Sequence, residues 1–472
     1  MSQPTKLSRR NFLQTGTALS LGAATGFAND MMRFNAFAAD VSGYRAIVCV
    51  FLFGGMDGHD TVIPFDTENY NAYANIRREL LNRYEGNEGG STRERSRLLP
   101  LNLTNAADFG GREFALPPEL GPIHDLIDTG NGAIVSNVGP LVAPMNRTEF
   151  QNRTVPRPPR LFSHNGQQSV WMSSEPEGAR FGWGGRIADM SAASSGNPDA
   201  TFTAVSASGN TVFLQGENVG QFQVGNNGPE EIRGLSDDDL FGAAALPGAY
   251  EDTLRSNGIN LSNLLQRDFS NIMDRSIDAN RTLRASFQEA APFSTEFPNS
   301  RLGRQLQVVA RIIALRSTLG VGRQIFFVSD GGYDTHSNQH ENLPRRHAGI
   351  AASMRSFYDT MVELGISQDV TQFTAADFGR TLTINRDGTD HGWGGHHFVL
   401  GDGVDGARMV GDFPLPISDH NQDAGNGRLI PTTSVDQFAG TLGNWFGLTD
   451  SELDTALPGL QNFSQRNLGL FT

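Results

Sequence analysis

One hexapeptide pattern, Gly-Gly-x-Asp-x-His, occurs twice in this chain, each time just after a short apolar run. The first copy is Gly54-Gly55-Met56-Asp57-Gly58-His59, following Ala46 to Phe53; the second is Gly331-Gly332-Tyr333-Asp334-Thr335-His336, following Gln324 to Val328. An unbroken apolar run reads as a strand buried on both faces, the kind found in parallel sheets. The glycines allow a sharp turn and a close approach of another group to the backbone. Each copy therefore sets an Asp and a His beyond the carboxyl end of a strand, where open α/β sheets bind ligands. The pair predicts one shared site assembled from distant parts of the chain.

Two more segments read as sheet core, Val370 to Thr374 and Gly132 to Val138, the first followed by a polar turn. Between them, residues 304–318 and 347–364 have apolar side chains at spacings of three and four, which predicts amphipathic helices. The alternation predicts an α/β fold, a doubly wound and mostly parallel sheet between helices. Residues 39–472 read as a single domain with an insertion at about 200–300, a cap or side lobe. Its first part (202–224) alternates like a small β element, and its second (229–291) is helical. The charged run from Thr92 to Arg97 reads as a solvated loop.

Residues 1–38 read as an address. Ser8-Arg9-Arg10-Asn11-Phe12-Leu13 has the pattern of a twin-arginine signal, and Ala36-Phe37-Ala38 offers a cleavage site. The expected partner there is the twin-arginine translocase, and the expected location is periplasmic or secreted. No later stretch approaches the ~20 apolar residues of a membrane span. The chain has a formal charge of −14; residues 1–38 hold Lys6, Arg9, Arg10 and Arg33 against Asp30, a net +3, which leaves −17 for the remainder. Such acidity excludes nucleic acid and anionic lipid as partners. The single cysteine, Cys49, lies in the first apolar run and excludes an internal disulfide.

Two further clusters follow the 370 strand, Asp377-Phe378-Gly379-Arg380-Thr381 and Gly388-Thr389-Asp390-His391-Gly392-Trp393. Asp and His together on loops after parallel strands offer the oxygen and nitrogen donors that bind Zn²⁺ or Mn²⁺, whereas carboxylates alone favour Ca²⁺ or Mg²⁺. Arg380 has the planar donor geometry for a phosphate or sulfate group, with a salt bridge to a neighbouring Asp as the competing role. His164 can line the same pocket or make a structural hydrogen bond. His347 is read as facing the 336 loop, and His124 and His420 receive no role.

These motifs, with Phe53 to Gly58, Ser163-His164 and Gly182-Trp183-Gly184-Gly185-Arg186, resemble an exported bacterial family, domain of unknown function 1501 (DUF1501). That family is remotely similar to the alkaline phosphatase and sulfatase superfamily. The resemblance implies an alkaline-phosphatase-like fold and a divalent metal (Zn, Mn or Ca). It implies Asp57 as the first-strand ligand and Thr61 as a nucleophile. Asp334 and His336 would serve another metal, Asp377 would stand at the usual Asp-His position, and His391 would be a late ligand with Asp390 beside it. The chain departs from the pattern at Phe378, where the superfamily has His.

Three functions follow as expectations. The first is a metal-dependent hydrolase of phosphate or sulfate esters, acting on small molecules or glycans, with Arg380 clamping the oxyanion. The second is a non-catalytic exported protein that keeps the fold and part of an ion site for stability or partner binding. The third is a carbohydrate or surface-polymer binder with Trp183 and Trp393 as stacking platforms.

Overall fold

The computed structural model describes residues 43–86, 92–192, 197, 200–230, 232–235, 238–255 and 263–472. The expected export signal lies outside the described residues. The main sheet is built from β1 (Arg45–Phe53), β2 (Gly132–Gly139), β3 (Ala204–Ser206), β4 (Phe222–Gln223), β5 (Arg323–Gly331) and β6 (Val370–Ala376). A small hairpin, β7 (Arg380–Ile384) and β8 (Thr389–His391), follows. Then β9 (Gly395–Leu400), β10 (Arg408–Val410) and β11 (Thr433–Ser434) return to the sheet. Its order is β10-β2-β9-β6-β1-β5-β3-β4, with β11 also pairing β2. β9 runs antiparallel to both neighbours, and the other pairings are parallel.

The apolar run of β1 explains its central place. Side chains alternate across a strand, so Ala46, Val48, Val50 and Leu52 enter one core while Ile47, Cys49 and Phe51 enter the other. Helices α7 (Arg301–Ala314) and α8 (Gln339–Glu363) cover the first face through Leu306, Val309, Ile350 and Met354. Helices α4 (His164–Ser173), α5 (Trp183–Ala192) and α9 (Val435–Phe446) cover the second through Trp171, Ile187 and Phe438. Both faces are thus roofed by helices, as a parallel sheet requires. Short helices α1 (Gly58–Thr61), α2 (Thr67–Ile76) and α3 (Arg78–Glu85) lie beyond the end of β1, and α6 (Leu264–Glu289) occupies the insertion.

The structure departs from expectation in three places. α8 begins at Gln339, eight residues before the periodic stripe, and α7 stops at Ala314 before a separate turn of helix, Arg316–Leu319. The first part of the insertion does form short strands, but β3 and β4 extend the edge of the main sheet. Arg93, in the run expected to be solvated, is 1% exposed because Asp60 draws it inward. Among the described residues, no helix is long and apolar enough to cross a membrane.

Candidate metal centre

Register brings the turns together. Leu52 of β1 pairs with Asp330 of β5 on one side and Ala376 of β6 on the other. The turns that follow all three strands therefore leave the sheet at one edge. Gly54 (φ +114°) and Gly55 (φ +80°) let them pack: a Cβ on Gly54 would lie 2.5 Å from the Asp334 nitrogen, and one on Gly55 would lie 2.2 Å from the Phe378 ring. Arg380, buried below, donates to the Gly54 carbonyl at 3.1 Å, to Asp334 Oδ1 at 2.6 Å and to Thr389 Oγ1 at 3.0 Å.

Three imidazoles converge on Asp334. His336 Nε2 is 3.0 Å and His391 Nε2 3.2 Å from Asp334 Oδ1, and His164 Nε2 is 3.4 Å from Oδ2. The other nitrogen of each ring faces an acceptor. His391 Nδ1 is 2.8 Å from the Phe162 carbonyl, His164 Nδ1 is 2.6 Å from Asp377 Oδ2, and His336 Nδ1 is 3.2 Å from Asp390 Oδ1. A carbonyl can only accept, so Nδ1 of His391 carries a proton and the neutral ring turns a lone pair on Nε2 towards the cluster. Nε2 of His336 lies 2.9 Å from Nε2 of His391. Acceptors thus face acceptors, an arrangement that a proton or a cation must relieve.

Electrostatics agree with that reading. Burial raises the Asp334 pKa, but the hydrogen bond and charge of Arg380, helped by His336 and His391, outweigh it and hold the carboxyl below its ordinary value. Burial holds His391 below the usual imidazole value. His164 is raised, chiefly by its hydrogen bond to Asp377. One ligand atom each from His164, Asp334 and His391 lie within 4.8 Å of one another. Asp377 Oδ1, buried at the base of the cluster, has no hydrogen-bond partner among the described residues. Donor type, spacing and orphaned oxygen fit a divalent ion of the zinc class.

The residues singled out from the sequence divide between this cluster and its surroundings. Asp334, His336 and His391 meet in it. Asp377 and Asp390 stand behind the rings of His164 and His336, the usual place of a carboxylate that orients a metal-binding imidazole. Asp57 does not join: it is fully buried, with Arg77 at 2.7 and 3.0 Å on its two oxygens, Gln339 Nε2 at 2.7 Å and the His59 amide at 3.1 Å. Thr61 is also fully buried; its hydroxyl donates to the Asp57 carbonyl at 2.7 Å and faces His347 Nε2 at 3.3 Å, so it offers no exposed nucleophile. Arg380 takes the salt-bridge role, since its donors are held by Asp334, Gly54 and Thr389.

His164 is the residue that strand-end reasoning underweighted, because it sits at the start of helix α4 and follows no strand. Its signal is the Ser-His-Asn turn after the proline-rich loop. Phe378 packs against both imidazoles, with ring centroids 4.9 Å from His164 and 4.6 Å from His391, while the centroids of the two imidazoles lie 4.4 Å apart. The position of the missing imidazole is therefore filled by a ring that braces two others. Trp183 and Trp393 are fully buried, Trp183 at the head of α5 and Trp393 donating to the Pro140 carbonyl, so neither is a surface platform. His347 is buried inside α8, with Nε2 3.3 Å from the Thr61 hydroxyl.

A family described as "Protein of unknown function (DUF1501)" matches residues 44–457. No curated protein is similar in sequence to the chain. Among solved structures, a sulfatase from Pseudoalteromonas sp. is 7% identical, with 91% of this chain and 73% of that chain covered and a TM-score of 0.36. A 2-O GAG sulfatase is 9% identical, with 86% and 71% covered and a TM-score of 0.28.

Proposed function

We propose that this chain, which belongs to the DUF1501 family, is an exported hydrolase of phosphate or sulfate esters. Its divalent ion would be held by His164, Asp334 and His391, with His336 beside them. One observation carries the proposal: imidazoles backed at Nδ1 by Asp377, Asp390 and the Phe162 carbonyl turn Nε2 towards one carboxylate. A bound divalent ion supplies polarisation of an ester oxygen and lowers the pKa of water. The chain's own residues do the rest. Asp377 and the Phe162 carbonyl fix the rings, Arg380 fixes Asp334, and Phe378 packs against both His164 and His391. With Thr61 locked in the interior, water is the attacking group. The resemblance of the motifs to the alkaline phosphatase and sulfatase superfamily supports a phosphate or sulfate ester, free or on a glycan, as substrate.

Elemental analysis of protein purified without chelator tests the site, and turnover of an aryl phosphate and an aryl sulfate tests the chemistry. The expected result is one zinc-class ion per chain with hydrolysis of one ester, both lost in His391→Ala. Stoichiometric metal without turnover of either ester would leave the non-catalytic ion-binding protein, and no metal after incubation with Zn²⁺ or Mn²⁺ would overturn the reading.

A further inference from the structure

We propose that a second cavity, on the far side of α4 from its His164 end, binds a small organic ammonium ion with Asp436 as its counter-ion. The cavity has a volume of about 270 Å³, and Pro140, Leu141, Val142, Pro158, Pro159 and Val170 form its apolar walls. Pockets for drug-sized molecules run from about 300 Å³ upward, so this one suits a smaller guest. Asp436 lies in the first turn of α9 and is 7% exposed. Among the described residues only Ser174 donates to its carboxyl, to Oδ1 at 2.6 Å. Oδ2 abuts Gly459, where a Cβ would intrude to 2.4 Å, so the missing side chain keeps that oxygen open.

A carboxylate this deep is normally paired, because burying a charge without a partner is costly. The nearest cation, Arg186, is held elsewhere: it donates to Glu175 Oε1 and to the carbonyls of Ser173 and Ala456. Burial accordingly pushes the Asp436 pKa up. An ammonium group would supply both the charge and the hydrogen-bond donors that Oδ2 lacks. The walls select its other end. Calcium needs six to eight oxygen ligands; the lining has two carboxylates, and that of Glu175 is already paired with Arg186, whereas an alkyl stem gains by covering the prolines and valine.

Isothermal titration and thermal shift with n-butylammonium test the proposal on the full chain, with 1-butanol and sodium chloride as controls. Saturable binding that raises Tm is expected from the ammonium and not from the alcohol or the salt. Loss of a charge-assisted hydrogen bond should make Asp436→Asn at least about tenfold weaker. Gly459→Ala should weaken binding too, with the carboxylate kept. The proposal is overturned if the wild type shows no saturable binding, if butanol acts equally, or if Asp436→Asn binds as well as the wild type. Should Asp436→Asn fail to fold, Gly459→Ala and the alcohol comparison decide.

Discussion

The same hexapeptide has opposite fates at its two occurrences. In the first turn Asp57 is sealed in the interior against Arg77, with every approach to its oxygens filled by protein donors. In the second, Asp334 is 39% exposed at its side chain and is surrounded by imidazole nitrogens that cannot all donate to it. One Gly-Gly-x-Asp turn has become a structural anchor and the other the centre of the candidate site. What separates them is the neighbourhood supplied by other segments: an arginine from the junction of α2 and α3 in one case, histidines from α4 and β8 in the other. Asp57 is still tied to the site mechanically. Gln339 donates to it and accepts from Thr389, which in turn accepts from Arg380, the residue that holds Asp334.

The sharpest way to break this contrast is to remove the cation under the first turn. Arg77→Leu would leave Asp57 buried and unpaired, and breaking a buried pair costs about 3–5 kcal/mol. Urea unfolding should show that loss whether or not metal is present. Asp334→Asn keeps an acceptor for the buried Arg380 and removes a charge that solvent partly reaches, so its metal-free cost should lie between those of an exposed and a buried pair, about 1–2 kcal/mol. If Asp334→Asn destabilised the chain as much as Arg77→Leu, the two turns would be alike and the site reading of the second would fail.

The next effect in size is on the ion. Elemental analysis of His391→Ala and His164→Ala should find metal occupancy below about a tenth of wild type, since each removes a ligand of the proposed site. Asp377→Asn should be milder, with metal affinity lowered about 10–100-fold, the usual cost of losing the group that orients a ligating imidazole. Asp57→Asn belongs on the other side of the comparison: occupancy in the surviving folded protein should stay near wild type. If Asp57→Asn emptied the site while His164→Ala left it full, the assignment of ligands would be reversed.

Much of this architecture was legible because it follows from local pattern. The runs before each Gly-Gly turn are apolar on both faces, so their burial and parallel pairing could be read directly, and the shared edge follows from parallel register. The division between anchor and site was not legible. Arg93 reads as a surface charge in a polar run, Arg77 carries no signal of its own, and nothing in their local sequence says that Asp60 and Asp57 will draw them inward. His164 was hard to weigh for the opposite reason. It reaches the cluster from the start of a helix, so a rule that looks at the ends of strands gives it no special weight. Phe378 was read as a lost ligand, and only its packing against two imidazoles shows a bracing role.

The smallest expected effect tests the proton that the site holds when metal is removed. In the folded chain His164 keeps its proton to a higher pH than an unperturbed histidine, chiefly because Nδ1 donates to Asp377. The unfolded chain releases that proton near pH ~6.5. Between that value and the raised one, the folded state binds more protons, so this contribution to stability falls as pH rises. It is fully present below the unfolded pKa and gone above the folded one. The ring is 31% exposed at its side chain, and solvent screening should keep the effect below about 1 kcal/mol. In chelator, the stability difference between wild type and His164→Ala should therefore shrink from pH 6 to pH 9 in urea unfolding. With Zn²⁺ present the trend should reverse, because metal and proton compete for the same imidazole and metal binds better as pH rises. A difference that grew with pH in chelator would mean that His164 is not proton-bound to Asp377, and the orientation of its Nε2 towards Asp334 would lose its physical cause.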